Sequence, residues 1–134
     1  MALTANLKIE GSNNTYNILE CNYEITQAID QTGRPSDRPR GGLIEITVVS
    51  PDDSDMVFHE WMRDKYATKE GKVTLTVNKN NVDKPKTISF QDAYCIKLYE
   101  CFDNNNPVQM CTRITIAAGK IIFGNNCEFT IIDK

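Results

Sequence analysis

The sequence predicts an antiparallel all-β domain, a two-sheet sandwich or barrel, with one helix on its flank. Two observations carry this. Apolar residues recur every second position in seven or eight separate stretches, with Asn, Gly and Asp turns between them. One stretch alone changes to a spacing of four, which is the period of a helix face.

The strands follow in chain order. Leu3, Ala5, Leu7 and Ile9 form one face of the first, opposite Thr4, Asn6 and Lys8. After a Gly-Ser-Asn-Asn turn at 11–14, Leu19, Cys21, Tyr23 and Ile25 predict the buried face of the second. Ile44, Ile46 and Val48 alternate with Glu45 and Thr47, and Val73, Leu75 and Val77 alternate with Thr74 and Thr76. A longer run places Ile88, Phe90, Tyr94, Ile96 and Leu98 on one side, interrupted only at Asp92. Val108, Met110, Thr112, Ile114 and Ile116 make a further face, and 121–123 and 127–131 close the chain.

The helix is expected over about residues 51–68. Ser50 can cap it, Pro51 suits its first position, and Asp52 and Asp53 suit the positive end of its dipole. Val57/Trp61, Phe58/Met62 and Met62/Tyr66 lie four apart, Arg63, Lys65 and Lys69 suit its end, and Gly71 can terminate it. Trp61 is expected to pack it onto the strands.

The segment from about 30 to 42 has three arginines, two prolines, three glycines and no apolar side chain. It cannot bury itself against a core. Two readings stand: an interaction arm, with prolines to stiffen it and arginines suited to carboxylates, or a simple mobile loop.

A length of 134 residues fits a single domain, 1–134, with a real core. The hydrophobic fraction of 40% and charged fraction of 25% exclude a disordered chain. A net charge of −3 argues against an electrostatic grip on nucleic acid. No apolar run is long enough to insert in a membrane, and Met1 to Asn14 do not read as a secretory signal.

No chemistry can be assigned from the residues, and no cofactor or metal is expected. Five cysteines, Cys21, Cys95, Cys101, Cys111 and Cys127, have no zinc-type spacing and read as free thiols, with one disulfide as the alternative. The one histidine, His59, reads as a surface residue rather than half of a Cys–His pair. Asp52, Asp53 and Asp55 lack the alternation and glycine of a calcium loop. The expectation is a protein that is not an enzyme. A closed barrel holding a small ligand is the alternative, opposed by large residues such as Phe90, Tyr94 and Phe129 that would fill its interior.

A resemblance runs from about residue 3 to 124. Its residues are Gly33-Arg34-Pro35-Ser36, Arg40-Gly41-Gly42 before a strand, Ser50, Asp53 and Trp61-Met62, and Lys69-x-Gly71. Phe90-x-x-Ala93-Tyr94-Cys95, Tyr99-Glu100-x-Phe102, Pro107 and Ile114-Thr115-Ile116-Ala117 complete it. In order and spacing these resemble the haemolysin-coregulated tube proteins (Hcp, TssD) of type VI secretion systems, in their Bacteroidota branch. The resemblance implies a phage tail-tube-like fold and homohexameric rings that stack into a tube within a contractile sheath. It implies a spike at the tip, secreted effectors carried in the lumen, and assembly in the cytoplasm before export without a signal peptide. It also implies that the arm reaches a neighbouring ring or subunit, a role that falls by position on Arg34, Pro35, Ser36, Asp37, Arg38 and Arg40.

Overall fold

The computed structural model describes residues 4–26, 31–34 and 40–130. The strands are β1 (Ala5–Ile9), β2 (Tyr16–Thr26), β3 (Arg40–Val49), β4 (Lys69–Lys79), β5 (Val82–Phe102), β6 (Met110–Ala117), β7 (Lys120–Phe123) and β8 (Cys127–Thr130). One helix, α1 (Val57–Arg63), lies between β3 and β4. The hydrogen-bonded order is β4-β1-β2-β3-β6-β5-β7-β8, and a further pairing of β4 with β5 closes six of the strands into a barrel. Every pairing is antiparallel.

The alternation is realised most simply in β3 and β6. Ile44, Ile46 and Val48 are buried opposite Ile116, Ile114 and Thr112. Leu7, Val73, Ile88, Phe90 and Ile121 fill the rest of the barrel, and Phe58 and Trp61 of α1 close one end of it. Burying side chains of this size stabilises the fold by roughly 1.5–3 kcal/mol each before chain entropy is counted.

Two strands depart from strict parity. In β2 the register shifts between Ile18 and Glu20, so Tyr16 and Ile18 point inward while Leu19 is 44% exposed. The predicted face of Leu19, Cys21, Tyr23 and Ile25 is thus only half realised. A bulge adds one residue to one strand, which exchanges inside for outside beyond it.

The same happens in β5. Asp92 adopts a left-handed φ of 53°, and Gly119 N–H donates to both Gln91 O and Asp92 O at 3.1 Å. Beyond that bend Ala93 and Cys95 are buried, and Tyr94 and Ile96 are exposed. The expectation that Tyr94 and Ile96 share the inner face is overturned, and Tyr94 does not fill the interior. Up to Ala93 β5 pairs with β4 and β7; from Tyr94 onward, with β6.

The helix is shorter than 51–68. Asp52 accepts hydrogen bonds from the N–H of Ser54 at 2.9 Å and from its hydroxyl, folding residues 52–55 into a turn. Asp55 rather than Ser50 accepts from a helix-start N–H, that of Val57, at 3.1 Å. The far end stops because Asp64 takes the N–H of Tyr66 at 3.0 Å. Trp61 Nε1 donates to Ala67 O at 3.3 Å, pinning the exit from the helix. Gly71 lies in β4 instead, where a Cβ would come within 2.4 Å of the Phe90 ring. Its role is close approach, not helix termination.

Between β4 and β5 the two-residue turn Asn80-Asn81 has φ values of 55° and 63°, the backbone that matches strand twist in tight hairpins.

Candidate assembly surfaces

The four strands β2-β3-β6-β5 form a sheet whose register defines two ends. Thr26 lies opposite Arg40, and Leu43 opposite Ala117, at one end. Ile18 lies opposite Val48, Val49 opposite Cys111, and Phe102 opposite Met110 at the other.

The predicted arm residues divide between three places. Arg34 is exposed, beside Gly33 with its φ of 84°. Arg40 is a strand residue paired with Thr26, and Gly41 pairs with Ile25, so the connection spans 27–39 and both begins and ends earlier than 30–42. The sequence starts this strand only at Leu43, because Arg-Gly-Gly carries no alternation. Pro35, Ser36, Asp37 and Arg38 lie outside the described residues. The connection leaves the sheet at its Thr26–Arg40 end.

The opposite end is held by polar groups that pair within the chain. Tyr16, buried and tilted against Phe58 at 4.8 Å, donates to Asp55 Oδ2 at 2.5 Å. Burial first, and the Asp55 carboxylate second, push the Tyr16 hydroxyl up to about 12. Burial also raises the Asp55 carboxyl, but hydrogen bonds from Tyr16, Asn14 and the Val57 N–H outweigh it and hold it below the ordinary range. A second chain runs from Ser50 Oγ to Thr112 Oγ1 at 2.6 Å, Thr112 to Glu100 at 3.1 Å, and Glu100 to His59 Nε2 at 2.9 Å. Sequence reasoning left His59 on the surface. It is half-exposed and ties α1 to β5, with no cysteine beside it in that chain.

The middle of the outer face of this sheet is polar, with Glu45, Thr47, Arg113, Thr115 and Lys97 in neighbouring positions. Arg113 donates to Thr47 Oγ1 at 3.2 Å, lies 3.8 Å from Glu45, and sits over the Tyr99 ring at 5.8 Å.

The edges of the sheet are its most distinctive surfaces. Among the described residues β2 pairs beyond Asn17 only with β3, and β5 from Tyr94 onward only with β6. Ile96, Tyr99 and Phe102 on that half of β5 are exposed. These edges were invisible in the sequence, since alternation fixes faces and not neighbours. All five cysteines are free thiols, and burial pushes the Cys95 thiol up to about 11. Among the described residues no group of three or more His, Cys, Asp or Glu side chains could hold a metal ion.

Comparison with known proteins places these surfaces in context. The family model described as Hemolysin coregulated protein Hcp (TssD) matches residues 1–130. The structure of Hcp1 from Flavobacterium johnsoniae is similar over 95% of this chain and 98% of its own, with 32% identity and a TM-score of 0.78. The secreted protein Hcp3 from Pseudomonas aeruginosa is 10% identical, covers 98% of this chain and 100% of its own, and has a TM-score of 0.68. The second likeness, at its low identity, shows the fold alone. No curated protein matches the sequence.

Proposed function

The chain belongs to the Hcp (TssD) family of type VI secretion proteins, and from that premise we propose that it is the building block of a secreted tube. Six copies join into a ring, and rings stack into a tube that a contractile sheath expels behind a spike, with room for small effectors in the lumen. The family identity supports a structural role in place of catalysis.

One observation carries the ring reading: among the described residues the sheet β2-β3-β6-β5 has open edges along β2 beyond Asn17 and along β5 from Tyr94 onward. It has an even number of strands in antiparallel order, so its edge strands β2 and β5 run in opposite directions. Copies related by rotation therefore bring β5 of one beside β2 of the next in antiparallel sense. Repetition of such a head-to-tail contact closes a ring and satisfies the exposed edges, which are otherwise an aggregation hazard. The polar outer face around Arg113 then suits a solvent-filled lumen.

The connection 27–39, with Arg34 and Arg38, is the arm that reaches a neighbouring ring, together with Pro35, Ser36 and Asp37. Arg40 contributes from the strand at its root. Light scattering and negative-stain microscopy of the purified protein test the reading. Rings with an open centre and a hexamer mass are expected, and a monomer at tens of micromolar would sink it. Reversing Arg34 and Arg38 to Glu should shorten stacks while rings persist. Unfolded protein, or unchanged stacks, would remove the arm assignment.

A further inference from the structure

The β4–β5 hairpin projects past the barrel. Its last ladder partner on β1 is Ala5, opposite Leu75, and Thr76 N–H still donates to Thr4 O at 2.8 Å; beyond these the two strands pair only with each other among the described residues. Val77 lies opposite Lys84, and Leu75 opposite Lys86, so these side chains continue the face that is core at Val73 and Ile88. Outside the barrel that face meets no core among the described residues. Val77 is 47% and Val82 53% exposed, and Lys84 and Lys86 stand beside them. The exposed surface is apolar with a basic margin.

At the helix-capped end of the four-stranded sheet lies its counterpart. Met56, Met110 and Phe102 are exposed there. A cleft of about 340 Å³ runs between Met56, Met110 and His59, with Asp52, Asp53 and Glu100 on its walls. This surface is apolar with an acidic margin.

The two surfaces face opposite ways. Leu7 of β1 lies opposite both Tyr16 of β2 and Val73 of β4, so β2 and β4 run in the same direction on either side of it. The hairpin tip therefore points towards the Thr26 end of the sheet, and the cleft opens at the Ile18 end. A molecule with complementary surfaces at opposite ends joins its copies head to tail without closing.

We propose that the β4–β5 hairpin of one copy seats in the Met56–Met110 cleft of a second copy in the adjacent ring. Val77 and Val82 cover the methionines, and Lys84 and Lys86 meet Asp53 and its neighbours. The proposal rests on the ring reading above and names a second contact, besides the arm, by which rings stack. Six such contacts per ring act together, so a weak individual contact suffices. Charge at the margin sets direction and register, because a reversed ring would bring like charges together.

The test is charge reversal with recombination, followed by light scattering and negative-stain counts of rings per stack. Stacks at about 50 mM salt should shorten several-fold at about 500 mM, where exposed charges are screened. Lys84→Glu/Lys86→Glu should leave hexamer-sized rings and cut stacking about tenfold. Asp52→Lys/Asp53→Lys should do the same, and Asp53→Lys alone provides a variant that leaves the Asp52–Ser54 turn intact. A chain carrying both reversals should stack again. Single rings of the wild-type protein at low salt, reversals without effect, or a combined chain that does not recover would each overturn the contact while leaving the ring reading standing. A monomer in every condition would remove the ring reading and the contact with it.

Discussion

The two ends of the four-stranded sheet solve opposite problems. At the Ile18 end, Tyr16, Asp55, Ser50, Thr112, Glu100 and His59 find their partners inside the chain, and Trp61 and Phe58 close the barrel. At the Thr26 end, a connection carrying Arg34 and Arg38 leaves the sheet and a hairpin projects with valines exposed. Buried polar groups must be satisfied, and exposed apolar faces ask for cover. The Ile18 end therefore holds the fold together around the cleft proposed to receive a neighbour, the Thr26 end projects without such a closure, and substitutions should separate folding from assembly.

The largest effect belongs to the closed end. Trp61→Ala removes a fully buried ring and its hydrogen bond to Ala67 O, and should cost about 3–5 kcal/mol. Thermal or denaturant unfolding measures it. A loss below 1 kcal/mol would mean that α1 is an appendage and not the closure of the barrel.

Tyr16→Phe comes next, at about 1.5–3 kcal/mol for a hydrogen bond to a charged group. Its pH dependence is more diagnostic than its size. The Tyr16 hydroxyl is raised from its ordinary value of 10.0 to about 12, so the folded state holds that proton more tightly than the unfolded chain. The stability it contributes is complete below pH 10 and is lost as pH rises from 10 to about 12. Asp55, held below its ordinary value, works in the other direction: its contribution is present above the ordinary carboxylate range and fades as pH falls through the folded value. Unfolding curves should therefore show a gap between wild type and Tyr16→Phe that narrows on the alkaline side. A gap constant from pH 8 to about 12 would exclude the Tyr16–Asp55 bond as its source.

The same division explains what the sequence disclosed. β3 and β6 were legible because Ile44, Ile46, Val48, Ile114 and Ile116 alternate without interruption through a buried ladder. Trp61 was legible as the residue that docks the helix. The reversal at Asp92 was not, because a bulge is one residue of left-handed backbone and Asp is common in ordinary turns. The length of the helix was misread for a related reason. Asp52 and Ser54 can start a helix or close a turn, and only the hydrogen bond between them decides. Asn80-Asn81, flanked by alternating residues, did carry a hairpin signal. The projection of that hairpin depends on where its pairing with Ala5, 70 residues from Leu75, ends among the described residues, which no local pattern encodes.

The smallest effect on folding should come with the largest effect on assembly. Ile96 is 48% exposed on the open half of β5, at the register shift between Cys95 and Lys97. Its side chain lies outside the core cluster, so Ile96→Lys should change stability by no more than about 0.5 kcal/mol. In a ring whose neighbouring sheet meets this edge, the same lysine is placed against a desolvated seam and an added strand. The expected outcome is a folded monomer with an unchanged unfolding midpoint and no rings by light scattering. Intact rings would show that the β5 edge lies outside the subunit contact. A folding loss comparable to that of Trp61→Ala would show that this edge belongs to the closed half of the molecule after all.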